Sequence, residues 1–139
     1  MAAWAASVRG KAIVAGRSTG SLDVTGEIPV IRVTGFYRWT DGASFDHDYY
    51  NSAHMALTRE QLLPLGLLRL ESDRFIGGAA PKSGEIIAAS HAYFQDIAQA
   101  QAALASAGKV IMSDVPKYTT LVPEIRMSIV TSHVLARDV

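Results

Sequence analysis

Tyr50 and His54, four residues apart, carry the first indication of chemistry in this chain. Imidazole is the side chain whose ordinary pKa permits proton abstraction near neutral pH, and a phenol beside it can donate to or polarise a substrate oxygen. If Phe45 to Leu63 is helical, Phe45, Tyr49, Ala53, Ala56 and Leu57 form an apolar arc facing the rest of the fold. At ~100° per residue, Leu57 stands about 60° and Tyr50 about 40° from His54, both on the arc's side. Asn51, Thr58 and Gln61 fall on the polar side or close to it. His54 thus sits where buried surface meets water, a position from which a side chain reaches into a cleft. His54 and Tyr50 are the expected catalytic pair, with Leu57 and Asn51 as flanking substrate contacts. The structural alternative is a half-buried His54 bonded to backbone or to Tyr50.

Three more positions complete the expected substrate-binding set. Tyr37 shares a strand face with Trp39, Ile31 and Val33, for which packing is the competing reading. His91 lies mid-strand on a row with Tyr93 and faces either a cavity or a subunit interface. Tyr118, shortly after Pro116, is placed to fold over a cavity mouth. Asp114 is expected to hold that turn through a local side-chain hydrogen bond. No metal site is expected: His47 and His54 share a helix face, but seven residues separate them by about 10 Å along the axis. With no cysteine there is no disulfide, thiolate nucleophile or iron–sulfur cluster. Gly77-Gly78 and the early glycines fit neither a Walker loop nor a dinucleotide-binding turn, and no serine elbow is present. No cofactor is therefore expected. Haem needs only one axial histidine and stays open as an alternative that an absorption spectrum tests.

The elements that must position these groups begin near Pro29. Ile31 to Trp39 reads as a strand, ended by Thr40-Asp41-Gly42. Ser44 is the expected cap of the first helix, which Pro64 and Gly66 stop. Leu67 to Phe75 and Glu85 to Phe94 read as two strands joined by a hairpin loop. Asp96 caps an Ala-rich helix whose apolar positions Ile97, Ala100, Leu104 and Ala107 repeat at helical spacing. Glu124 to Ser132 is the last strand. The order β-α-β-β-α-β predicts an α+β, ferredoxin-like domain over 30–134, with both helices on one face of a four-stranded antiparallel sheet. Residues 1–29 read as a loosely ordered extension, or as upstream sequence before an initiator at Val30, and 135–139 as a tail.

The third strand carries no charge after Glu85 on either row, so it predicts cover on both faces. Helices can supply only one cover, and a second copy of the sheet supplies the other, which predicts a homodimer. Thirteen basic residues against thirteen acidic ones exclude a basic nucleic-acid footprint or polybasic anchor. No apolar run approaches the ~18 residues of a membrane span. Neither nucleic acid nor membrane is therefore an expected partner.

Phe45 to Glu60 (FDHDYYNSAHMALTRE), Leu70 to Phe75 (LESDRF) and Asp114 to Thr119 (DVPKYT) together resemble the EthD family. The likeness spans Ile31 to about Ser132. It implies a dimeric α+β barrel, a place in small-molecule catabolism such as ethyl tert-butyl ether breakdown beside a cytochrome P450 system, and a loose grouping with oxidoreductases. Two positions depart from the family pattern. Ala56 stands where proline is frequent, which predicts a straighter first helix, and Lys117 stands where Asn or Asp is common, so no ligand contact is carried over to it. The combined expectation is a cytoplasmic homodimer holding a small, mainly apolar molecule (an aromatic, lactone, polyketide-like ring or ether fragment) between sheet and helices. Its chemistry would be cofactor-free proton transfer or an oxidoreductase-type reaction. The rival expectation is a non-catalytic accessory homodimer that binds a metabolite or a partner enzyme.

Overall fold

The computed structural model describes residues 30–77 and 79–135; the expected N-terminal extension and nearly all of the expected C-terminal tail lie outside them. Strand β1 (Val30–Arg38), β2 (Arg69–Arg74), β3 (Ile86–Phe94) and β4 (Glu124–Val130) form one sheet in the order β2-β3-β1-β4. Every neighbouring pair is antiparallel. With helices between β1 and β2 and between β3 and β4, this is the ferredoxin-like α+β arrangement the element order predicts.

Register decides which side chains meet. Ile31 pairs with Phe94, Val33 with Ala92 and Tyr37 with Ala88, while Leu70 pairs with Ala92 on the other side of β3. Because side chains alternate along a strand, these residues share the face that the helices cover. One buried cluster there joins Ile31, Val33, Ala92 and Phe94 to Leu62 and to Ile97, Ala100, Ala103 and Ala107 of α3 (Ile97–Ser113). The Asp96 side chain caps α3 by accepting from Gln99 N at 2.8 Å, and the small alanines let the helix lie close on the sheet. Gly108 is buried and the helix runs through it.

The first helix differs from expectation. Asp46, not Ser44, caps it, accepting from Tyr49 N at 3.1 Å; the Ser44 carbonyl instead accepts from Thr119 Oγ1 at 2.7 Å. It consists of α1 (His47–Tyr49), a five-residue π-helical turn over Tyr50–His54, and α2 (Met55–Leu62). The helical segment is interrupted one turn before Ala56, where Met55 N donates back to the Tyr50 carbonyl. In α geometry residues four apart are offset by ~40°; the wider turn brings Tyr50 and His54 into line. The buried stripe is consequently Tyr50, His54, Thr58 and Leu62, whereas Ala53 and Ala56 of the expected arc are exposed.

On the opposite sheet face, part of the burial arises within the single chain. Ala89 and Tyr93 of β3 are buried there although no helix covers them. Long polar side chains from β2 lie over Tyr93, which donates to Glu71 at 2.9 Å and has the Arg69 guanidinium 4.3 Å from its ring centre. Reading β3 alone overlooks these arms. Among the described residues no helix is long and apolar enough to cross a membrane.

Candidate functional site

At one end of the helix-covered face the core turns aromatic. Tyr37 from β1, Phe45 from the loop before α1, Tyr50 from the π turn and Tyr118 beyond α3 pack edge to face or tilted, with ring centres 5.1 to 6.0 Å apart. The Tyr37 and Tyr118 hydroxyls hydrogen-bond to each other. Phe45 is held by a backbone bridge to Thr119, and Asp46 N donates to the Tyr118 carbonyl at 2.8 Å, so two distant loops are pinned together.

His54 enters this cluster from the π turn and is only 4% exposed. Its ring stacks on Tyr50, with centres 5.6 Å apart and planes 16° from parallel, and lies 4.7 Å from the Tyr118 ring. Nδ1 is 3.0 Å from Oδ2 of Asp114, itself buried at the C-terminal end of α3. A carboxylate only accepts, so Nδ1 carries the proton and donates, leaving the Nε2 lone pair as the basic site. The other Asp114 oxygen accepts from the Tyr49 hydroxyl at 3.1 Å and from Lys117 Nζ at 3.3 Å.

Burial lowers the His54 pKa, and the Asp114 hydrogen bond and charge only partly oppose it, so the imidazole is neutral near pH 7. Burial works against ionised Asp114 as well. There, hydrogen bonds from His54, Tyr49 and Lys117 together outweigh it and hold the carboxyl below its ordinary range. Burial pushes the Tyr37 phenol up to about 12 despite its bond to Tyr118, and raises Tyr50 and Tyr118 further still. These phenols are donors, not bases. Ser90 stands near enough to temper the Tyr50 shift but not in hydrogen-bond geometry, and the Tyr50 hydroxyl is buried with no partner among the described residues.

Of the expected residues, the structure brings Tyr37, Tyr50, His54 and Tyr118 into one cluster. Leu57 is half-buried, and Asn51 is exposed, its side-chain oxygen accepting from Ser72 at 2.7 Å. His91 is on the opposite sheet face, between Thr34 Oγ1 at 3.0 Å and Asp73 at 2.7 Å, and does not approach His54. Asp114 reaches across the fold to His54 instead of holding only its own turn. Its place in the Asp-Val-Pro-Lys-Tyr stretch was the signal available. Sixty positions of sequence separation concealed its partner.

Beside the cluster opens a cleft of about 1040 Å³, walled by Trp39, Phe45, Ile87 and the β2–β3 connection. Phe45 is common to both, lining the cleft on one side and packing on Tyr37, Tyr50 and Tyr118 on the other. Among the described residues, no group of three or more His, Cys, Asp or Glu side chains is placed to hold a metal ion.

The fold bears comparison with solved structures. An EthD-like protein from Ralstonia eutropha JMP134 superposes with a TM-score of 0.61 at 26% identity, over 71% of this chain and 89% of its own. The chain resembles the EthD family. A second similar structure, an ethyl tert-butyl ether D (EthD) family protein from Bacillus halodurans C-125, shares 21% identity over 68% of this chain and 96% of its own, with a TM-score of 0.45. No protein-family model and no curated protein matches the chain. Phe45, Tyr50, His54, Asp114 and Tyr118 all meet in the cluster.

Proposed function

We propose that this EthD-like chain binds a small, mainly apolar organic molecule in the cleft bounded by Phe45 and catalyses cofactor-free proton transfer on it. His54 Nε2 is the base or, once protonated, the acid; Tyr50, Tyr37 or Tyr118 orients an oxygen of the ligand. The observation that carries this reading is the buried His54–Asp114 pair stacked against two phenols behind an aromatic wall. A structural histidine needs a hydrogen bond, but a fixed tautomer with a free Nε2 is also what a general base needs. The ligand class is aromatic, lactone, polyketide-like or ether-derived, and the setting is small-molecule catabolism in the cytoplasm. The acting unit is a homodimer that pairs the open sheet faces. In support, the buried Arg32 Nε on that face has no partner among the described residues.

Solvent deuterium exchange into a panel of lactones and cyclic β-dicarbonyls, followed by NMR, tests the chemistry. Wild-type protein accelerates exchange of at least one class and His54→Ala does not; full turnover by His54→Ala removes the mechanism. Sedimentation as a lone subunit removes the dimer. One observation favours a second reading. His54 is 4% exposed and does not line the cleft, which the cluster reaches through Phe45, so ligand in the cleft does not touch it without movement of a ring. A non-catalytic accessory homodimer accounts for that, and it predicts binding without turnover and greater damage from sheet-face substitutions than from loss of His54.

A further inference from the structure

We infer that the cleft selects organic anions, an aromatic or alicyclic body bearing one carboxylate or sulfonate, with Arg74 as the anchoring cation. This rests on the reading that the cleft holds an apolar molecule, and it deepens that reading by specifying the ligand's charge. Arg74 is the last residue of β2, opposite Ala88, and so projects on the helix-covered side of the sheet, where its row otherwise carries Leu70 and Ser72. Neighbouring arginines are engaged: Arg38 binds Glu124 at 2.8 Å and the Gly84 carbonyl at 3.2 Å, and Arg69 binds Glu71 at 3.1 Å. Arg74 has no carboxylate within ion-pair distance among the described residues, and it lines the cleft.

With Arg38 paired to Glu124, two cations, Arg74 and Lys82, line the cleft against the single lining carboxylate of Glu85, which accepts from Lys82 N at 2.7 Å. The chain as a whole is balanced, so this excess is local. His47, also in the lining, has a buried Nδ1 with no partner among the described residues. Burial and the Arg74 charge keep that imidazole neutral against the opposing pull of Asp48 and Asp46, so it can donate one N–H to an anion without needing a proton. Neither aspartate lines the cleft, and Asp46 spends an oxygen on Tyr49 N. An exposed guanidinium alone holds an anion weakly. Joined to the apolar surface of Trp39, Phe45 and Ile87, it converts non-selective apolar binding into a preference for charge.

Two naphthalene dyes of similar shape test the inference by fluorescence titration: the anionic 1-anilinonaphthalene-8-sulfonate and the neutral N-phenyl-1-naphthylamine. Arg74→Gln is expected to weaken the sulfonate dye roughly tenfold, the size of one lost charge-assisted hydrogen bond, and the neutral dye less than twofold. Arg74→Lys, which retains the charge, keeps most of the sulfonate affinity. Equal changes for the two dyes, or no change in Arg74→Gln, overturn the anion preference. If the neutral dye binds and the sulfonate gains nothing, only the charge inference fails. If neither dye binds, the apolar-ligand reading fails with it.

Discussion

Asp114→Ala is the most informative single change, because the His54–Asp114 bond is both a buried polar contact of the site and the one that sets its tautomer. Removing the carboxylate leaves the Nδ1–H of His54, a residue only 4% exposed, without its acceptor. A buried hydrogen bond to a charged group is worth roughly 1.5–3 kcal/mol. The Tyr49 hydroxyl and Lys117 also lose a partner, but both reach water and recover it. The expected loss is therefore about 2–3 kcal/mol, which at an m-value of roughly 1.5 kcal/mol per molar urea moves the unfolding midpoint down by about 1.3–2 M. Nitrogen-15 shifts of the His54 ring supply a second reading that a generic cavity would not move. Wild type shows protonated Nδ1, and the variant shows mixed tautomers and a still lower pKa, since the carboxylate that opposed the downward shift is gone. A midpoint within a few tenths of a molar of wild type, together with an unchanged tautomer, would refute the assignment of Asp114 as the group that positions His54.

Stability is expected to fall on acidification. Because the folded His54 pKa is depressed, its contribution is complete above the ordinary value of 6.5 and is lost as pH falls through the folded value; Asp114 adds a loss of the same sign below 3.8. Thermal melts from pH 8 to 5 check this, and a chain more stable at pH 5 than at pH 7 contradicts it. Tyr50→Phe removes a buried hydroxyl that has no partner, so urea titration should show stability unchanged or raised by up to about 1 kcal/mol, while any proton-transfer activity falls. Gly66 ends the helix–turn segment at φ +104°, where a Cβ would run into the Gln99 side chain, so Gly66→Ala should cost about 1–2 kcal/mol by the same measurement.

The element order was legible from the chain because it depends on local signals. Alternating β-branched residues mark β1, Asp96 caps α3 through its own neighbour Gln99, and Pro64 with Gly66 ends the first helical segment. The pairing of His54 with Tyr50 was also local, four residues apart on one segment, and the chain alone put it forward. What lay beyond reach depended on contacts between distant segments. The π turn rotates Tyr50, His54 and Thr58 inward because packing against Tyr37, Tyr118 and Asp114 compensates for its irregular bonding, and a helical wheel with a constant 100° step has no term for that. The acceptor for His54 arrives from sixty residues away, and the cation of the cleft arrives from the end of an edge strand; closure of the sheet brings both beside the first helix. Residue types and their order along the chain determined which groups were available for chemistry. Only the folded sheet, by making remote residues neighbours, decided which of them act together.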